Sequence, residues 1–173
     1  MNARTAESLS QRIPWVGLAL LGLPGGAVAA YLTYAHWADR PTVCGGIGEC
    51  ELVQTSEYSE IAGVPVAFLG LLYFLAISLL ALARIRRIPA ALAWAQPAAL
   101  SMSLAGTAFI AYLTYVELFV LDAICVWCVS LAALTVASLG LAVWGSFSGG
   151  ECWPSGGRWP RSSRAAARRC ATA

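Results

Sequence analysis

The chain has 173 residues, 59% apolar and only 12% charged, with a mean hydropathy of +0.69. Soluble domains carry roughly 25% charged residues, so this composition excludes an ordinary water-soluble globule and points to a membrane protein of one domain. A net charge of +2, with eleven arginines and no lysine, makes no case for nucleic-acid binding.

Four apolar stretches are long enough to cross a bilayer, which takes about 20 mostly apolar residues. The first, 13–34, is interrupted by Pro24-Gly25-Gly26, which membrane helices tolerate where neighbours re-satisfy the backbone. Arg4, Arg12 and Ala27-Val28-Ala29 also fit a cleavable signal peptide, but the apolar run continues to Tyr34 and favours a retained helix. A loop at 35–60 carries Cys44 and Cys50. The second stretch, 61–83, joins the third, 91–121, through Arg84, Arg86 and Arg87. The third is overlong and holds Gln96 and Pro97 near its start, as expected of an interfacial turn or a tilted helix. The fourth, 124–144, opens on Cys125 and Cys128. The expected organisation is an N-terminal tail at 1–12, a four-helix membrane domain at 13–147 and a disordered tail at 148–173, rich in Gly, Ser, Arg and Ala. Cys152 and Cys170 read as spare reduced thiols in that tail.

Arginine placement sets the expected orientation. All the arginines but Arg40 fall on one side, in the first tail, the second connection and the last tail, so that side is the cytoplasm. The other side carries Asp39, Glu49, Glu51, Glu57, Glu60, Glu117 and Asp122. Both termini are then inside, and Cys44, Cys50, Cys125 and Cys128 lie at the outer face, where disulfides form and persist. The pentapeptide AYLTY occurs at 30–34 and 111–115, each copy followed by nine residues and a cysteine. Tyrosine suits a membrane interface anyway, but the shared spacing reads as two helix–Cys–helix units whose cysteine pairs face one another. The expected fold class is all-α, an integral membrane four-helix bundle with an outer-face cysteine loop.

A Cys-x-x-Cys at a helix start suits redox chemistry, because one turn separates the thiols and the free amides favour a thiolate. Three residues amount to roughly 4.5 Å along the axis, so Cys128 lies deeper than Cys125. The shallower thiol can meet a loop and the deeper one a lipid-soluble molecule. In "CGGIGEC", residues 44–50, Gly45, Gly46 and Gly48 supply the mobility that thiol–disulfide exchange demands. Two static structural disulfides, a four-cysteine zinc site and a thiol-lined heavy-metal relay are the competing readings. Electron relay carries most weight.

Taken as a set, "CGGIGEC", then "SEYSEIAGVPVAFLGLLYF", then "CVWC" resemble the bacterial branch of the vitamin K epoxide reductase family over about 13–145. The resemblance implies a quinone-linked disulfide generator. Electrons from a separate thioredoxin-like partner outside the cytoplasm would enter at Cys44 and Cys50. Cys50 would exchange with Cys125, and the Cys125–Cys128 pair would reduce a menaquinone or ubiquinone, with Cys128 as the thiolate at the ring. Ser56 matches the family's serine near the quinone, where its hydroxyl would donate to a carbonyl oxygen; a plain loop or helix-cap serine is the alternative. Val66 stands where some members carry Asn, and nothing after residue 145 is expected to form the fused thioredoxin-like domain of others. Of the remaining polar residues, His36 and Arg40 read first as solvated interfacial groups, and Glu117 as a candidate guide for protons. A metal transporter, an outward-directed reductase of the same architecture and a structural scaffold complete the alternatives.

Overall fold

Backbone amides and carbonyls cannot be left bare in a bilayer, so an apolar chain closes its hydrogen bonds locally as helices. The computed structural model describes residues 3–44, 50–88 and 94–148. Its elements are helix α1 at Ala3–Trp37, short helix α2 at Cys50–Gln54 and a 3-10 turn at Glu57–Ser59. A two-strand hairpin follows, β1 at Glu60–Ile61 and β2 at Val64–Pro65. Then come α3 at Val66–Ile85, α4 at Ala95–Phe119 and α5 at Val126–Ser148. Among the described residues four helices have the length and hydropathy to cross a membrane: Arg12–Trp37, Val66–Ile85, Ala95–Phe119 and Val126–Phe147. The all-α membrane bundle expected from the sequence is the fold.

Three local details depart from the sequence reading. The second span begins at Val66 rather than 61, because Glu60 pairs with Pro65 and Ile61 with Val64 across an antiparallel hairpin. Its turn residues, Ala62 and Gly63, take φ values of 54° and 78°, the left-handed pair that tight hairpins require. Next, α1 is not interrupted: it runs continuously through Pro14 and Pro24. The adjacent glycines serve a close approach instead. A Cβ at Gly25 would overlap the Phe74 ring, and one at Gly22 would overlap the Ser78 hydroxyl. Finally, α4 starts at Ala95 with Pro97 in its first turn, where no N–H is needed. Gln96 Nε2 donates to the Ala142 carbonyl and to Ser146 Oγ, both at 2.8 Å, fastening the start of α4 to the end of α5. Most of the turn expected ahead of α4, the cytoplasmic tail and its Cys152 and Cys170, and Gly45, Gly46, Gly48 and Glu49 lie outside the described residues.

Helix α1 packs along α3 and α5, α4 packs on α5, and α3 and α4 approach each other only lightly. One core cluster joins Trp15, Leu18, Ile77, Ala81, Ala95, Ala99 and Ala142, and a second joins Ala29, Leu32, Phe74 and Leu131. The alanines let helix backbones come close where apolar driving force between helices is absent. Two buried hydroxyls are satisfied within their own helices: Thr33 donates to the Ala29 carbonyl at 2.7 Å and Thr135 to that of Leu131 at 2.8 Å.

The α1–α3 notch generates a first prediction. Gly25→Ala forces the helices apart, because Phe74 is itself only 1% exposed and has no room to yield. Overpacking of this kind costs about 1–3 kcal/mol, read as a lower Tm of the detergent-solubilised protein. Gly140→Ala, where nothing lies within 4 Å of the new methyl, leaves Tm unchanged or slightly raised.

Candidate functional site

The site forms at the end of the bundle where α1 and α4 stop. After Trp37 the chain closes α1 with Asp39 in the left-handed region, φ 49°, a conformation that Asp tolerates. The Arg40 N–H returns to the Ala35 carbonyl at 3.0 Å and the Asp39 N–H to that of His36 at 3.3 Å, the paired bonds of a Schellman ending. This sends the chain back over the bundle end towards Val43, which is gripped from both sides. Its N–H donates to Tyr31 Oη at 3.0 Å, and its carbonyl accepts from Trp127 Nε1 at 3.1 Å. The two rings pack with centroids 5.6 Å apart.

The next residue, Cys44, is disulfide-bonded to Cys50, with the Cα atoms 6.3 Å apart. Cys50 opens α2 and is 1% exposed, in a buried cluster with Val53, Ala123 and Cys125; Cys44, Trp127 and Cys128 pack against it. All four cysteines singled out in the sequence therefore gather at one end of the bundle. Among the described residues the free thiols are Cys125, which is buried, and Cys128, which is partly exposed.

Glu117, two residues from the end of α4, organises the approach to α5. Its backbone carbonyl accepts from the Ala123 N–H at 3.1 Å, and its Oε2 accepts from the Cys125 N–H at 3.5 Å. The residue is only 5% exposed. Cys125 itself lies just before α5. A hydrogen bond from the Cys128 side chain, against the opposing effect of burial, brings its pKa down to about 7, helped by the backbone amides of Cys128 and Trp127. In this redox form the anion of the pair is favoured on Cys125.

Where α3 and α4 separate, a cavity of about 220 Å³ remains. Leu32, Val66, Phe74, Phe109 and Leu113 give it apolar walls, and Ser56, Glu117 and Cys128 supply polar atoms at its head. Its size and apolar walls suit one flat ring system rather than a whole lipid-soluble molecule, with the Cys128 thiol at its head. The residues present thus fit a quinone head. Val66 presents an apolar wall where the resemblance noted Asn. The Ser56 hydroxyl donates to the Val53 carbonyl at 2.8 Å, so in this conformation it offers the cavity lone pairs rather than its proton.

The remaining candidates stand apart from the thiols. His36 Nε2 meets Glu60 Oε1 at 2.8 Å, tying the end of α1 to β1. Arg40 lines a neighbouring polar cleft with His36, Glu57 and Glu60. Among the described residues no three His, Cys, Asp or Glu groups converge as metal ligands. Sequence reasoning missed the grip on Val43, although Tyr31 lies within the first AYLTY. Its counterpart in the second copy, Tyr112, is 52% exposed, so the repeat marks helix ends rather than equivalent roles.

A protein-family model described as the vitamin K epoxide reductase family matches residues 12–143, from the start of the first span to within five residues of the end of α5.

Two outcomes follow from this geometry. Trp127→Phe keeps the ring packing but deletes the bond to the Val43 carbonyl, worth about 0.5–1.5 kcal/mol; reduction of the Cys44–Cys50 disulfide by dithiothreitol accelerates roughly two- to tenfold. In protein with that disulfide intact, alkylation of Cys125 by iodoacetamide rises through a midpoint near pH 7. In Cys128→Ala the midpoint moves to higher pH, because the strongest hydrogen bond to the thiolate is gone.

Proposed function

The chain belongs to the vitamin K epoxide reductase family, and on that premise we propose that it is a membrane thiol–disulfide oxidoreductase. It oxidises a separate thioredoxin-like partner outside the cytoplasm and passes the electrons through two cysteine pairs to a menaquinone or ubiquinone. One observation carries the reading. A Cys44–Cys50 disulfide and a free Cys125/Cys128 pair share one buried cluster, and Cys128 alone among these four lines the apolar cavity.

The division of labour follows from exposure. Cys50, at 1% exposed, is closed to a protein partner, whereas Cys44 is partly exposed. A reduced partner's thiolate attacks Cys44, breaking the Cys44–Cys50 bond and leaving Cys50 as the thiolate. The partner's second thiol then attacks its own mixed disulfide, so the partner departs oxidised and Cys44 is reduced. Cys50 next attacks Cys125 of an oxidised Cys125–Cys128 pair, freeing Cys128, and Cys44 attacks Cys50, freeing Cys125. The product of that exchange is the redox form described above. A quinone held in the cavity supplies a two-electron, two-proton sink. The apolar walls, and Ser56 once its hydroxyl turns from the Val53 carbonyl, orient its head towards Cys128, and Cys125 returns to close the inner disulfide.

Arginine placement supports the orientation: both termini in the cytoplasm, the cysteine end outside, and the host membrane the cytoplasmic membrane. The domain is the 13–147 unit, with tails on either side.

The experiment uses purified protein, a reduced thioredoxin-like donor and a soluble quinone, following quinone absorbance. Wild-type protein turns over, and Cys50→Ala and Cys128→Ala each fall to the uncatalysed rate. Turnover that survives either substitution overturns the relay. Both disulfides staying closed under all donors and quinones overturns the enzyme reading itself.

A further inference from the structure

Glu117 is a buried carboxylate placed where no packing need asks for one. It meets the reacting pair at the start of α5, where its Oε2 receives the Cys125 N–H at 3.5 Å. It also lines the cavity beside Cys128 and Ser56. Carboxyl and cavity are therefore contiguous with the Cys128 thiol, whereas His36 and Arg40 line a neighbouring polar cleft that meets the cavity only at Gln54, Ser56 and Ser59. Oxidation of two thiols must dispose of protons, and in an apolar cavity a side chain has to carry them.

We propose that Glu117 is a catalytic proton carrier of the inner pair, taking the Cys128 thiol proton and delivering it to the acceptor in the cavity. This rests on the quinone reading given above. The balance is closed. Two S–H bonds break, one S–S bond forms between Cys125 and Cys128, and two electrons with two protons end on the quinone. The proton of Cys128 travels through Glu117; that of Cys125, lost to water when the thiolate forms, is replaced from water. The Cys125 N–H bond holds the carboxyl at the start of α5 throughout, so the carrier stays in register with both sulfurs.

The test has two readouts. In the absence of any quinone, a chemical thiol oxidant closes the Cys125–Cys128 pair while infrared difference spectra are recorded. With nothing in the cavity to receive the proton, wild-type protein gains a protonated-carboxyl band that shifts in heavy water and is missing in Glu117→Gln. Should that variant fail to fold, ¹³C-glutamate labelling of wild-type protein and the Glu117→Asp variant identify the band instead. In the quinone assay, Glu117→Gln slows quinone reduction by about a hundredfold or more, and Glu117→Asp recovers part of the loss. A wild-type protein with no carboxyl band, or a Glu117→Gln protein that reduces quinone at the wild-type rate, overturns the carrier role while leaving the cysteine relay intact. Wild-type protein that shows the band but reduces no quinone keeps the proton transfer and overturns the quinone reading.

Discussion

The fit of Phe74 into α1 is the contact on which the rest of the bundle rests. The ring occupies the space a side chain at Gly25 would need, stands edge-on to Tyr73 at 5.0 Å, and is buried with Ala29, Leu32 and Leu131. Because α1 locks this closely on α3 and also packs along α5, which carries α4, the helices pack in the order α3, α1, α5, α4. The seam between α3 and α4 is left loose. Phe74 also forms part of the wall of the cavity in that seam. Dense packing on one side of a ring thus sets the room available on the other.

At the cysteine end the constraint changes from packing to hydrogen bonding. The loop disulfide has one fixed flank, because both polar groups of Val43 are held by rings from α1 and α5. The inner pair is fixed by Glu117, which reaches the segment ahead of α5 through its carbonyl and its carboxylate together. Two chain segments that are distant in sequence therefore present their sulfurs to one another from anchored backbones. Exchange between disulfides requires a particular alignment of three sulfurs, and anchoring of this kind shortens the search for it.

Much of this was legible in the sequence, and the parts that were not have physical reasons. Hydropathy exposed the four spans because the bilayer imposes one length and one polarity on every crossing. The four cysteines were legible because their spacing carries chemistry. The hairpin before α3 was hidden: Ile61, Val64 and Pro65 prolong the apolar run, and only the φ values of Ala62 and Gly63 reveal a turn. Pro24-Gly25-Gly26 looked like a break because the need for glycine lay on another helix, in Phe74. Trp127 and Val43, 84 positions apart, meet through a side chain and a backbone carbonyl, and such a bond leaves no pattern in one sequence. Glu117 was visible as an acidic residue near a helix end, but its bond to the Cys125 N–H and its place beside Cys128 in the cavity needed the fold.

The loose seam between α3 and α4 has a consequence for supply. Leu69, 37% exposed, belongs to the cavity lining together with Tyr58 of the polar end, 41% exposed, so one exposed edge of the cavity lies sideways on the flank of the bundle. A molecule reaching Cys128 by that route arrives by two-dimensional diffusion within the leaflet. Saturation is then governed by its mole fraction among the lipids and not by its aqueous concentration, so adding lipid slows encounter as surely as removing the molecule.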